Sequence, residues 1–123
     1  MDRIQYSDIQ QLASDTSEYK VSLYMPLHRQ AAAQNQQDML QLRNLLQEAD
    51  ARLQASGLSA KETGKVLELG YRLVSGEPLW RYGARSLALF ASPKRQMVMR
   101  LGVELEEKLM VSSHFHLVPL IET

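Results

Sequence analysis

The sequence of 123 residues contains no cysteine and no long apolar run. The absence of cysteine excludes disulfide bonds, thiolate metal sites and a thiol nucleophile. No stretch approaches the roughly 18 apolar residues of a membrane span, and the N-terminal segment lacks the apolar core of a secretion signal. We therefore expect a cytoplasmic protein that does not enter a membrane.

Acidic residues are missing from one long stretch of the sequence. The formal net charge is zero, yet positions 78 to 103 contain no Asp or Glu. The basic residues in that stretch are Arg81, Arg85, Lys94, Arg95 and Arg100. This distribution predicts one basic side that contacts phosphate although the whole chain is neutral. The alternative is that alternate residues of a hairpin simply face water.

The motifs of common catalytic centres are also missing. There is no Gly-x-Ser-x-Gly, no glycine-rich phosphate loop and no carboxylate pair in a setting typical of acid–base catalysis. His114 and His116, with His28 as a distant third, form the one candidate metal set, and ordinary packing or exposure is the alternative. The sequence therefore favours a binding domain over an enzyme, with no cofactor, no metal and no small-molecule substrate.

The residues that are present form alternating helix and strand patterns. Positions 7–14 predict a short helix, and positions 19–25, which end at a proline, predict a strand. Between residues 36 and 56, apolar residues recur at spacings of three and four, which predicts a long helix. Gly57 favours a left-handed helix end, and the Ser-Ala-Lys-Glu sequence after it predicts a capping box that starts a second helix reaching Ser75.

Strand patterns follow the two helices. They cover residues 86–91, 96–101 and 108–112, and an extended apolar stretch is predicted at 115–121. Because one strand precedes the helices and the others follow, we predict an α+β domain. It has a mixed sheet of about four strands, an antiparallel helical hairpin packed on one face and a short N-terminal helix. A single domain spans residues 1–123, and its extended end predicts that it was taken from a longer protein.

One sequence segment precedes the predicted helical hairpin and two follow it. They are VSLYMPLHR at 21–29, LALF at 87–90 and HFHLVPL at 114–120. Together they resemble the N-terminal domain of the bacterial archaeo-eukaryotic release factor family. These proteins are relatives of the archaeal and eukaryotic class 1 peptide chain release factors. The resemblance implies a non-catalytic, ribosome-associated role in translation termination, ribosome rescue or stress. It also implies that middle and C-terminal domains belong to the full protein.

Two motifs of that family have no counterpart in this sequence. The interhelical loop is Ala55–Ser59, not Asn-Ile-Lys-Ser, and the Tyr-x-Cys positions hold Leu109 and Val111. The chain also has no Gly-Gly, so it lacks the Gly-Gly-Gln motif that triggers peptide release. The resemblance therefore implies neither codon reading nor peptidyl-tRNA hydrolysis by this domain.

The candidate contacts to ribosomal RNA are basic residues in two groups. The first surrounds the hairpin tip, and the second follows the basic strand edge; they are Arg52, Lys61 and Lys65, and then Arg81, Arg85, Lys94 and Arg95. Such residues bind phosphate and not bases, so binding is expected to weaken with salt. The rival hypothesis is a protein-interaction or dimerisation module with no nucleic-acid binding. In it, residues 117–121 or an exposed strand edge bind a partner or a second copy.

Overall fold

The chain folds into a four-stranded sheet with helices on both faces. A computed structural model describes residues 5–27, 32–75 and 84–121, with the backbone alone at 32–35. The elements are α1 Tyr6–Ala13, β1 Lys20–Pro26, α2 Ala32–Ala55, α3 Ala60–Val66, α4 Glu68–Val74, β2 Ser86–Ala91, β3 Gln96–Leu101, β4 Lys108–Ser112 and α5 Val118–Ile121. The α+β class is confirmed. None of the described helices combines the length and the apolar character needed to cross a membrane.

The sheet has the strand order β3-β2-β1-β4. Every pairing is antiparallel, so the prediction of a mixed sheet was wrong in this detail. The reason is the even number of helical passes between β1 and β2. The α2 helix returns the chain toward the start of β1, and the α3–α4 arm brings it back. As a result, β2 starts beside the end of β1, where Pro26 pairs with Ser86.

The helical hairpin covers one face of the sheet, as predicted. Leu23 of β1 and Leu89 of β2 pack against the hairpin in the same core cluster as Leu46 of α2. These three side chains are almost completely buried. Full burial of a leucine side chain stabilises the fold by about 1.5–3 kcal/mol, so this layer supplies much of the packing energy.

The opposite face of the sheet is packed as well, which the sequence pattern did not indicate. Tyr24 and Phe90 lie there with Leu12 of α1 and Leu120 of α5. The extended stretch predicted near the C-terminal end was wrong at α5. The carbonyl of Leu117 accepts the N–H groups of Leu120 and Ile121, and the resulting helical turn carries Leu120 into the core.

The link between α2 and α3 has the predicted chemistry. Gly57 has a φ of +116°, and the N–H of Leu58 donates to the carbonyl of Leu53 at 3.2 Å, which is a Schellman ending. Ser59 Oγ then accepts the Glu62 N–H at 3.1 Å, and Glu62 Oε1 accepts the Ser59 N–H at 3.0 Å. These reciprocal bonds confirm the capping box.

The second helix of the hairpin was predicted as one continuous helix. It is interrupted at Leu67, which divides it into α3 and α4. The side-chain amide of Gln96, at the start of β3, is inserted there. Its Nε2 donates to the Lys65 carbonyl at 2.9 Å, and its Oε1 accepts the Leu69 N–H at 2.6 Å. In an uninterrupted helix that N–H would donate to that carbonyl directly. Gln96 therefore holds the break open and ties the arm to the edge of the sheet.

Candidate nucleic-acid interface

The hairpin tip and the turn between β2 and β3 lie at the same end of the sheet. The hydroxyl of Tyr19, just before β1, donates to the carbonyl of Ser56 in the hairpin link at 3.3 Å. At the same end, Val21 pairs with Ala91, the last residue of β2. The hydrogen bond from Gln96 Nε2 to the Lys65 carbonyl brings α3 to this end too. We call this region the basic end and define it by Lys61, Lys65, Lys94 and Arg95.

The lysines of α3 form one part of the basic end. Lys61 and Lys65 are both exposed and are four residues apart, so they share one helix face. Glu62 lies between them. Hydrogen bonds from the backbone and side chain of Ser59, together with the charge of Lys65, lower the pKa of Glu62. This part therefore presents two cations beside one ionised carboxylate that is engaged in the helix cap.

The two cations of the β2–β3 turn differ in their surroundings. Lys94 is exposed, and its Nζ donates to Thr16 Oγ1 at 2.6 Å. The Arg95 side chain is 31% exposed, and its Nε lies 3.4 Å from Oδ2 of the fully buried Asp15 carboxylate. The charge of Arg95 is therefore largely neutralised inside the protein. Within the described ranges no carboxylate forms an ion pair with Lys94, so its charge is available to an external anion.

Asp15 holds the turn that presents Lys94. Its Oδ1 accepts the Ser17 N–H at 2.8 Å, and its Oδ2 accepts the Ser92 hydroxyl. Ser92 Oγ in turn accepts the N–H groups of Lys94 and Arg95, each at 3.2 Å. Burial alone would raise the pKa of Asp15, but the bonds from Ser17 and Ser92 and the charge of Arg95 outweigh it and lower the pKa to about 2. The turn is thus built on a buried anion.

The other predicted contacts do not join the basic end. The guanidinium of Arg52 lies 2.7 Å from Glu48 Oε1 and donates to the Leu109 carbonyl at 3.3 Å, which ties α2 to β4. Arg85 is exposed but precedes β2, so the length of that strand, about 20 Å, separates it from the β2–β3 turn. Arg81 lies outside the described residues.

No protein-family model matches this chain, and a search of curated proteins finds no match. The resemblance to release factors therefore rests on the quoted segments alone and stays a prediction.

A cleft of about 610 Å³ lies at the other end of the sheet, between the segment after β3 and α5. Apart from Lys108 and His116, its lining residues carry acidic or apolar side chains; they are Val103, Glu104, Leu105, Glu106, Glu107, Val118 and Pro119. Val103 and Val118 are 41% and 54% exposed. The cleft is therefore mainly acidic and apolar, although Arg85 and Lys108 lie at the same end of the sheet.

The predicted histidine set is only partly described. His28 lies outside the described residues, and His114 is exposed. The backbone of His116 is bound to β1, because its N–H donates to Ser22 Oγ at 2.8 Å and its carbonyl accepts the Tyr24 hydroxyl. In the part of the chain that the structure describes, no group of three or more potential metal ligands comes together. A metal centre on these histidines gains no support from the geometry.

Proposed function

We propose that this chain is a non-catalytic, RNA-associating domain of a bacterial, cytoplasmic release-factor-like protein and that it contacts the ribosome through the basic end. The observation that carries the proposal is the meeting of two separate segments. Lys61 and Lys65 of α3 lie at the same end of the sheet as Lys94 of the β2–β3 turn, and all three are exposed. The family resemblance supplies the ribosome as partner and termination, rescue or stress as the setting.

The three exposed lysines predict weak, salt-dependent binding. Each cation that neutralises a phosphate releases condensed counterions, so three contacts give a slope of about −2 to −3 in a plot of log affinity against log salt concentration. Affinity is then expected to fall about 30-fold between roughly 50 and 200 mM salt. Because phosphate contacts carry no sequence information, we expect little preference among RNA sequences.

The test is co-sedimentation with bacterial ribosomes at low and raised salt. The variant Lys61→Gln/Lys65→Gln removes two charges from the basic end, and Arg85→Gln/Lys108→Gln removes two exposed charges from the opposite end as the matched control. We expect the first variant to lose about tenfold or more in affinity at low salt and the control to stay within about twofold of wild type. Equal losses in both variants, or no wild-type binding at low salt, would contradict the proposal.

The rival function as a protein-interaction or dimerisation module has its own supporting observation. Val118 and Ile121 are 54% and 62% exposed beside the acidic cleft, while Leu117 and Leu120 pack toward the core. Exposed apolar side chains next to a cleft are typical of interaction sites. A concentration-dependent dimer in sedimentation velocity that Val118→Ser/Ile121→Ser abolishes, together with no salt-sensitive ribosome binding, would favour this function.

A further inference from the structure

Lys20, the first residue of β1, is a buried cation. The residue is 7% exposed. Its Nζ donates to the backbone carbonyl of Asp15 and lies 5.5 Å from the centroid of the Phe115 ring. An ammonium group has three N–H donors. The carbonyl accepts from one of them, and the ring face contributes a weaker electrostatic contact.

No carboxylate of the described residues forms an ion pair with Lys20. The carboxylate of Asp15 faces Arg95, Ser17 and Ser92 instead, and only the main-chain oxygen of this residue reaches Lys20. Buried charges in proteins are normally paired, because removing an ammonium from water is costly. The Lys20 side chain therefore lies in the interior without a carboxylate counter-ion among the described residues.

A cavity of about 240 Å³ opens beside Lys20. It lies between the end of α1, the start of β1 and the segment after β4, and it is lined by Leu12, Ala13, Lys20, His114, Phe115 and Leu117. Apart from Lys20 and the exposed His114, these walls are aliphatic or aromatic. At about 30 Å³ for each molecule in the liquid, the space corresponds to roughly eight waters, so it admits a small organic group.

We propose that this cavity binds a monocarboxylate that carries a short apolar group, with Lys20 Nζ as the partner of the carboxylate. A carboxylate accepts charge-assisted hydrogen bonds from an ammonium and supplies the missing negative charge. The aliphatic and aromatic walls match the apolar group. Inorganic phosphate fits less well, because its further oxygens would face apolar walls without donors. The site lies at the same end of the sheet as the basic end but on the face covered by α1 and α5, shares no lining residue with the basic end and does not depend on RNA binding.

Benzoate and its uncharged isostere benzamide are the first probes. Titration of the isotope-labelled chain, followed by NMR, is expected to shift the amide signals of Lys20, His114 and Phe115 with benzoate, with a Kd on the order of 1 mM for so small a ligand. Benzamide is expected to bind about tenfold more weakly, because it lacks the charge. Equal binding of the two probes, or shifts confined to other residues, would overturn the proposal.

The variant Lys20→Met removes the charge and keeps an unbranched side chain. We expect it to lose about tenfold in benzoate affinity and to bind benzoate and benzamide equally. The control Lys108→Met removes an exposed lysine at the opposite end of the sheet, outside the cavity, and should bind benzoate as wild type does. If Lys20→Met fails to fold, the comparison of benzoate with benzamide on the wild-type chain still tests whether the site requires a charged ligand. Unchanged benzoate binding by a folded Lys20→Met chain would contradict the proposal.

Two sources can supply this chemistry, a free small acid or the carboxyl terminus of a polypeptide. A short peptide that ends in phenylalanine, compared with the same peptide as its C-terminal amide, separates them. Tighter binding of the free-acid peptide than of benzoate would assign the site to a polypeptide end. Binding of benzoate without the peptide would assign it to a small acid, and binding of neither would refute the site.

Discussion

Replacing Gly70 by alanine is expected to destabilise the protein, although alanine is the better helix former. A Cβ atom at Gly70 would lie 2.7 and 3.0 Å from the two methyl carbons of Leu46 and 3.2 Å from Cδ1 of Leu89. Both leucines are almost completely buried, so neither has free space into which to move. Overpacking costs about 1–3 kcal/mol, and the gain in helix propensity is about 1 kcal/mol. The net loss in the free energy of unfolding is therefore about 1 kcal/mol.

Gly64 provides the matched control on the preceding helix. It is exposed in α3, and no heavy atom lies within 4 Å of a Cβ atom placed there. Gly64→Ala therefore keeps the gain in propensity without the clash, and we expect it to stabilise the protein by about 0.5–1 kcal/mol. The same substitution in the two halves of one helical arm should thus have opposite signs.

Urea unfolding followed by circular dichroism measures both changes, with unchanged m-values as the sign that the two-state comparison holds. The variant Leu46→Ala supplies a further check, because it removes the methyl groups that would clash with Ala at position 70. The double variant should be more stable than the sum of the single effects predicts, by about 1 kcal/mol. If Gly70→Ala stabilised the protein as Gly64→Ala does, or if the cycle showed no coupling, the close packing of α4 on α2 would be refuted.

The remaining predictions concern two buried polar groups. The pKa of Asp15 is about 2 in the folded chain against 3.8 for an unperturbed carboxyl. Its ionised form then contributes about 2–3 kcal/mol, present in full above about pH 5 and lost as the pH falls through about 2. The stability difference between wild type and Asp15→Asn should shrink over that range, and a constant difference would contradict the assignment. Gln96→Leu leaves the Lys65 carbonyl and the Leu69 N–H without their partner. It should cost about 1–3 kcal/mol and speed hydrogen exchange at Leu69, whereas unchanged exchange would mean that the helix closes the break by itself.

The strands after the hairpin were predicted to their observed limits because local chemistry bounds them. Strands β2 and β3 are joined by Ser92-Pro93-Lys94-Arg95, where the Ser92 N–H donates to the Arg95 carbonyl at 2.8 Å. The capping box at Ser59 is likewise contained within four successive residues. Features of this kind need no knowledge of the fold, so a sequence pattern is enough to place them.

Two of the features that were missed, the helix break and the cover of the second face, depend on contacts between distant parts of the chain. The break at Leu67 is caused by Gln96, a residue that lies on another element and that no helix pattern contains. The direction of the strands could have been inferred, because two helical passes between β1 and β2 require β2 to run opposite to β1. The cover of the second face depends on Leu12 and Leu120, which lie near opposite ends of the chain.

Neighbouring residues of the β2–β3 turn show why the candidate contacts had to be sorted by structure. Lys94 and Arg95 are equivalent as a basic pair in the sequence, yet Arg95 faces the buried Asp15 carboxylate and Lys94 faces solvent. Neutralising Arg95 would leave Asp15 buried without its cation, which destabilises the fold. A loss of RNA affinity in such a variant would therefore not be specific to the surface. None of the three exposed lysines pairs with a carboxylate among the described contacts, although Lys94 Nζ donates to Thr16 Oγ1. They are therefore the positions at which a loss of ribosome affinity can be assigned to the surface.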